Sequence, residues 1–177
     1  NLLWAFGLAN KNPILENGPM QDAGAGGAGR FASTGGWGLG VGEPMSHYSQ
    51  HVLVSLTPAQ QALVEKTAKN IYRPCCDNST YFPDCNHGMA MLGLLELLAA
   101  SDANESEIYE AALAVNRFWF PDNYETIDLY LKERGLSLAL ADPQEILGVN
   151  YSSASGYSRI ALQVVREEKR LPGGCGV

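Results

Sequence analysis

The sequence of 177 residues lacks the features that mark several common classes of protein. It has no block of lysine and arginine, and its 12 basic side chains stand against 19 acidic ones, for a formal net charge of −7. Nucleic acids and anionic membranes attract proteins of the opposite charge balance, because phosphate binding depends on clustered cations. We therefore expect no nucleic-acid partner.

Long hydrophobic runs are also missing. No apolar run reaches the roughly 20 residues of a membrane-spanning helix, so we expect no membrane span in this chain. The longest run, residues 89–100, is interrupted by Glu96 and suits a buried core helix, with the Glu96 carboxylate reaching solvent at an edge. Apolar residues make up 46% and charged residues 18%, which is typical of a globular protein with a substantial core.

Familiar cofactor motifs are absent. The chain has no C-x-x-C-H motif for a covalently attached haem and no C-x₂-C pair of the zinc-finger type. Gly24, Gly26 and Gly29 match G-x-G-x-x-G, but the flanking residues predict neither a strand before them nor a helix after them. We do not expect a dinucleotide-binding fold.

The first 46 residues differ in composition from the rest of the chain. Their stretch "NGPMQDAGAGGAGRFASTGGWGLGVGEP" is dense in glycine and has no periodic apolar pattern. Glycine loses much backbone entropy on folding, so the pattern predicts a long irregular arm over residues 1–46, followed by a helical domain over 47–177. The apolar "NLLWAFGL" at the start is expected to dock on the core or on a protein partner.

Helix-start signals recur from residue 57 onward. Thr57 with Gln60, and Asn104 with Glu107, have the spacing of capping boxes, and Asp142 precedes a proline at a first helical position. Strand signals are scarce, and "HVLVSL" is the one plausible strand. The sequence predicts an all-α fold, a bundle of about five or six helices joined by short connections. The predicted helices begin near residues 58, 87, 105, 122, 143 and 156.

Soft, reactive side chains are concentrated before the apolar helix. All three histidines and three of the four cysteines fall between residues 47 and 87. Cys85 and His87 lie where a helix begins, and the loop before them can bring Cys75 and Cys76 close. Thiolate and imidazole are ligands of zinc, copper and iron–sulfur centres. We predict that Cys75, Cys76, Cys85 and His87 bind a transition metal or metal cofactor.

Two other roles for the cysteines are consistent with the sequence. Cys75 or Cys76 can form a disulfide with Cys85, and the remaining one with Cys175, each bridge stabilising the fold by roughly 2 to 4 kcal/mol. A bond between the adjacent Cys75 and Cys76 is disfavoured, because the ring is tight. Four cysteines and few lysines fit an exported protein.

A thiol enzyme is the third interpretation, with Cys85 as the nucleophile and His87 or His51 as the base. A helix N-terminus can activate a thiol, yet no familiar Cys–His motif is present, and we lean against an enzyme. His87 also has a purely structural alternative, which is to cap the helix or to hydrogen-bond a carboxylate such as Asp84.

His47 and His51 form a second candidate site. On a helix they would share a face and could chelate a metal, whereas on a strand they would lie too far apart. A haem b held by a histidine with a methionine or a second histidine is also compatible with the sequence. Met89 and Met91 are most simply core residues, because methionine fills irregular gaps.

The leading interpretation is an extracytoplasmic helical binding protein, periplasmic or secreted, that holds a metal through this Cys/His cluster. The alternative is a disulfide-stapled structural or assembly subunit whose N-terminal arm contacts a protein partner.

Overall fold

The computed structural model describes residues 1–35 and 42–168, and over these ranges the protein is all-α, as predicted. Ten α-helices lie in the described chain: α1 Leu2–Ala9, α2 Pro13–Asn17, α3 Ala32–Gly35, α4 Pro58–Asn70, α5 Asn86–Ala100, α6 Glu105–Trp119, α7 Pro121–Lys132, α8 Pro143–Ile146, α9 Val149–Ser152 and α10 Ala154–Glu168. No helix among the described residues has both the length and the hydropathy that a bilayer span requires.

Side-chain caps determine where the longer helices begin. Thr57 and Gln60 form a complete capping box at α4, and Asn104 and Glu107 form another at α6. The Asp142 carboxylate accepts a hydrogen bond from Gln144 N at the start of α8. Each cap satisfies backbone N–H groups that have no partner inside the helix. These three starts agree with the sequence prediction.

α5 is the central helix, and its residues are buried on several sides by α1, α4 and α6. α1 crosses α5 so closely that glycine is needed where they meet. A Cβ on Gly93 would collide with Leu3 O and Gly7 N, and one on Gly7 would collide with Met89 O. The absence of side chains at this crossing therefore lets the two helix backbones touch.

The structure does not confirm the irregular N-terminal arm. Residues 1–35 contain α1, α2, α3 and three short 3₁₀ turns. Their apolar side chains pack in the same core as α5, since Trp4, Leu8, Ile14, Leu15 and Met20 are buried. The docking of "NLLWAFGL" on the core outweighs the entropy cost of the glycines that follow. A domain division at residue 46 stays a prediction.

Two local predictions are wrong. "HVLVSL" forms no strand, and its only ladder-like contact is an isolated bridge between Asn10 and His51. Glu96 does not reach solvent: it is fully buried, and Asn12 Nδ2 donates to its Oε1 at 2.5 Å. Burial raises the pKa of Glu96 to about 8, although hydrogen bonds from Asn12 and Asn10 oppose the shift. A buried carboxyl of this kind is protonated at neutral pH.

Candidate metal centre

The loop between α4 and α5 folds back on the end of α4, and this return places the cysteines. Ile71 O accepts hydrogen bonds from Thr80 N at 2.8 Å and Thr80 Oγ1 at 3.0 Å. Ala68 O accepts from Tyr81 N at 3.0 Å. The two ends of the loop are therefore fixed side by side, as the sequence prediction of a returning loop requires.

Three sulfurs and one imidazole converge at the mouth of this loop. Cys75 Sγ lies 3.2 Å from Cys76 Sγ, 3.7 Å from Cys85 Sγ and 3.9 Å from His87 Nδ1. The donor atoms of Cys75, Cys85 and His87 all lie within 4.8 Å of one another. A second group, formed by Cys76, Asp84 and Cys85, shares the Cys85 sulfur, so the four residues predicted from the sequence lie in two overlapping groups that could hold a metal ion.

These separations are close to those of donors around one ion. Zinc binds sulfur at about 2.3 Å and imidazole nitrogen at about 2.0–2.1 Å, so tetrahedral donors lie about 3.8 Å apart for two sulfurs and about 3.5 Å for sulfur and nitrogen. The Cys75–Cys85 separation of 3.7 Å and the Cys75–His87 separation of 3.9 Å approach these values. Cys75 and Cys76, at 3.2 Å, would separate slightly on binding.

Cys85 is the N-cap of α5. Its sulfur accepts a hydrogen bond from Gly88 N at 3.3 Å. Arg73 Nε also donates to Cys85 Sγ, at 3.1 Å. Two N–H donors and the positive end of a 15-residue helix thus face one sulfur, and they favour its thiolate form.

Arg73 is the important residue that sequence reasoning missed. It is 1% exposed, and its guanidinium donates to Asn78 O at 2.8 Å, Phe82 O at 3.3 Å and Asp84 Oδ1 at 2.6 Å. Gly88 leaves the space, because a Cβ there would overlap Arg73 Nη2. The sequence signal is weak: a single arginine before "PCC" in an acidic chain.

The sulfurs shift one another's protonation. Hydrogen bonds from Cys75 and Cys76, then His87 and the charge of Arg73, lower the pKa of Cys85 far below that of an ordinary thiol. Hydrogen bonds with Cys76 and Cys85, together with burial, raise the pKa of Cys75. The cluster therefore carries its first negative charge on Cys85, beside the arginine.

His87 is held by aromatic rings. Its ring centroid lies 5.3 Å from that of Trp119 and 4.7 Å from that of Phe120. The alternative role of His87 as a partner of Asp84 is not seen, because the Asp84 carboxylate accepts from Arg73 and, at 2.8 Å, from Asn78 Nδ2. Packing by α6 and its C-cap thus directs Nδ1 toward the sulfurs.

The other candidate ligands lie elsewhere. His47 and His51 belong to neither of the two groups of three or more donors that converge among the described residues. They face each other on a turn, with Nδ1 of His47 3.0 Å from Nε2 of His51. Met89 and Met91 are buried in the core, as the sequence predicts.

Cys75, Cys76 and Cys85 are free thiols in this structure. Cys175, the fourth cysteine of the predicted disulfide pairs, lies outside the described residues. The pairing of Cys75 or Cys76 with Cys175 therefore stays a prediction.

Comparison with known proteins adds no family: the chain matches no protein-family model, no curated protein and no solved structure.

Proposed function

We propose that the protein is a metal-binding protein that holds one thiophilic ion at Cys75, Cys76, Cys85 and His87. The observation that carries this proposal is the convergence of three sulfurs and one imidazole nitrogen from the returning loop and the first turn of α5. Free thiols gain little from such crowding, because thiolates repel one another. A cation in their midst would turn that repulsion into attraction.

A single ion suits the geometry better than an iron–sulfur cluster. In a cluster the protein ligands are divided among two or more irons, so ligands of different irons are spread across the cluster. Here Cys75 lies within 4 Å of each of the other three donor residues, at 3.2, 3.7 and 3.9 Å. Haem b, which the sequence left open, has no observation in its favour at this cluster.

Zinc and monovalent copper are the ions that this donor set favours. Zinc takes three cysteines and one histidine in a tetrahedral arrangement, and sulfur ligands select Cu(I). Three thiolates and a divalent ion leave one excess negative charge, and the cation of Arg73, 3.1 Å from Cys85 Sγ, offsets it. Cys75 is exposed, so an ion reaches the cluster from solvent without an opening of the fold.

Binding, rather than catalysis, is the role that these contacts support. All four residues are donors, and the Asp84 carboxylate beside them is occupied by Arg73. An extracytoplasmic location is part of the same proposal and rests on composition alone. Fusion of the natural gene product to a reporter that is active only outside the cytoplasm would test it.

The metal proposal is tested by native mass spectrometry and elemental analysis of the reduced full chain after incubation with Zn²⁺. We expect one ion per chain, lost in Cys85→Ser and retained in Cys175→Ser, because Cys175 is not one of the four proposed ligands. Binding that is weaker than that of a simple dithiol, or equal in the two variants, would overturn the proposal.

A second candidate, a thiol-dependent enzyme, has one observation in its favour: the Cys85 sulfur accepts N–H bonds from Arg73 and Gly88. Such bonds also activate nucleophiles. Iodoacetamide labelling of the metal-free chain as a function of pH, followed by peptide mapping, distinguishes the enzyme from the metal-binding protein. Labelling of Cys85 below neutral pH with no tight Zn²⁺ binding would favour the enzyme.

A further inference from the structure

The turn that carries His47 and His51 is built around a backbone conformation that side chains rarely adopt. Ser49, between the two histidines, has a φ of 54°. It is buried, its N–H donates to Leu8 O at 2.8 Å, and its Oγ accepts from Asn12 N at 3.0 Å. A non-glycine residue keeps such a conformation only where its surroundings enforce it.

Both ends of this turn are fixed by backbone hydrogen bonds. His51 N donates to Ala9 O at 2.9 Å, and His51 O accepts from Lys11 N at 2.7 Å. His47 N donates to Pro44 O at 3.0 Å. The two histidines are therefore held at a defined distance by contacts that do not involve their rings.

The result is a pair of exposed imidazoles whose nitrogens meet. His47 Nδ1 lies 3.0 Å from His51 Nε2, and the rings are stacked with an interplanar angle of 28°. Metal–nitrogen bonds of about 2.05 Å that span this gap enclose an angle of about 94°. That is the angle between neighbouring positions of a square-planar or octahedral ion, and a tetrahedral ion needs a wider one. Axial ligands of one haem iron would need nitrogens about 4 Å apart.

We propose that His47 and His51 form a second metal site, a two-nitrogen chelate for a tetragonal divalent ion such as Cu²⁺ or Ni²⁺. Imidazole nitrogens suit both ions, and copper binds the more tightly of the two in the usual order of divalent ions. Water completes the coordination, since both rings face solvent. The site uses no residue of the sulfur cluster, so it stands or fails independently of the proposed function.

The histidine ring signals in the NMR spectrum test the site, because the chain has three histidines. We titrate the reduced full chain with paramagnetic Ni²⁺ and follow each ring. The signals of His47 and His51 broaden together, and His51→Gln raises the Ni²⁺ concentration that broadens His47 by at least tenfold. Glu125→Gln, at an exposed position in neither candidate site, is the matched control and leaves the broadening of His47 and His51 unchanged.

Two results would overturn the proposal. In one, Ni²⁺ broadens neither His47 nor His51 at concentrations where free imidazole is already bound, which leaves their contact as a simple N–H···N hydrogen bond. In the other, His47 broadens equally in the chain with and without His51→Gln, which makes it a single-ligand surface histidine.

Electron paramagnetic resonance of bound Cu²⁺ is a second readout. It uses a chain in which all four cysteines are replaced by serine, because thiols reduce Cu²⁺. We expect an axial spectrum with coupling to two nitrogens, reduced to one by His51→Gln. A spectrum without nitrogen coupling in the folded chain would contradict the site.

Discussion

The sulfur cluster and the histidine pair are two groups of potential metal ligands that lie in different surroundings. The cluster of Cys75, Cys76, Cys85 and His87 lies against a buried arginine and two aromatic rings. The pair of His47 and His51 faces solvent, and its turn is held by backbone hydrogen bonds and by the Ser49 hydroxyl.

The charge of the donor groups explains why the two groups have different surroundings. A thiolate is an anion, and a group of them is stable inside a protein only beside a cation that offsets desolvation and mutual repulsion. Arg73 supplies that cation, and Gly88 leaves it the space. Neutral imidazoles need no counter-ion, so a strained turn at the surface is sufficient. The supported cluster should therefore bind its ion far more tightly than the histidine pair.

The largest effect is expected from Cys85→Ser. Structural zinc sites bind with about 10–16 kcal/mol from four ligands, so one lost thiolate costs roughly 3 kcal/mol, or about 100-fold in affinity. Competition with a chromophoric chelator measures the change. His51→Gln is the control and should leave the zinc affinity of the cluster unchanged. An equal loss of affinity in both variants would show that the two groups of ligands form one site.

Arg73→Lys should weaken metal binding by about 10- to 100-fold, which is the usual effect of replacing a residue that hydrogen-bonds to a metal ligand. Lysine keeps the charge but loses the fork that joins Cys85 Sγ to Asp84. Arg30→Lys, at an exposed position, is the matched control. Chelator competition and thermal unfolding are measured together, because a loss of affinity in a folded variant separates positioning from stability. Unchanged affinity would show that Arg73 has no role in metal binding.

Gly93→Ala should lower the free energy of unfolding by about 1 to 3 kcal/mol, because its Cβ would press α5 against the backbone of α1. The histidine turn is anchored to α1, so the contact of His47 with His51 should loosen more than the sulfur cluster. Urea unfolding and the histidine ring signals report the two effects. Gly29→Ala, whose Cβ would make only ordinary contact with Met45, should be close to neutral.

Glu96→Gln should have the smallest effect near neutral pH, and one that changes sign with pH. The folded-state pKa is raised from 4.5 to about 8, so the native state binds the proton more tightly than the unfolded chain. Stability is then lost as the pH rises from about 4.5 to about 8, by at most about 1.4 kcal/mol per unit. Glutamine cannot ionise, so the variant does not lose stability as the pH rises. Its N–H₂ group cannot accept a hydrogen bond as the carboxyl oxygen does, and this cost reduces the gain. We therefore expect the variant to be more stable than the parent chain by about 1 to 2 kcal/mol at pH 9.

Unfolding by urea at pH 5 and pH 9 measures this prediction. The variant should be less stable than the parent chain at pH 5, by about 2 to 3 kcal/mol, and more stable at pH 9, because only the parent loses about 4 kcal/mol over this range. Glu125→Gln, at an exposed position, serves as the control. A greater advantage of Glu96→Gln at pH 5 than at pH 9 would contradict the sign of the shift.

The helix starts and the approach of the cysteines to one another were predictable because they depend on local sequence. Thr57, Asn104 and Asp142 cap helices through residues two or three positions away, and the cysteines return through a short loop. Long-range packing was not predictable. The contact of Gly7 with Gly93 brings the N-terminal helix α1 into the core, and nothing local to either residue signals it.

The surroundings of the site were hidden for the same reason. Arg73 meets Cys85 across 12 residues, and the rings of Trp119 and Phe120 reach His87 from another helix and its cap. Glu96 is buried because Asn12, distant in sequence, supplies a hydrogen bond. The periodicity of apolar residues indicates which face of a helix is buried. It does not indicate which polar residue of another segment contacts that face.

Titration of the reduced chain with Co²⁺, followed by absorption, tests the central claim most directly. Cobalt takes the place of zinc and reports both the number of thiolates and the geometry. The account predicts saturation at one equivalent, with a near-ultraviolet thiolate-to-cobalt band of three-sulfur intensity and the visible bands of a tetrahedral ion. A pale octahedral spectrum without the thiolate band would show that the sulfurs and His87 do not bind an ion.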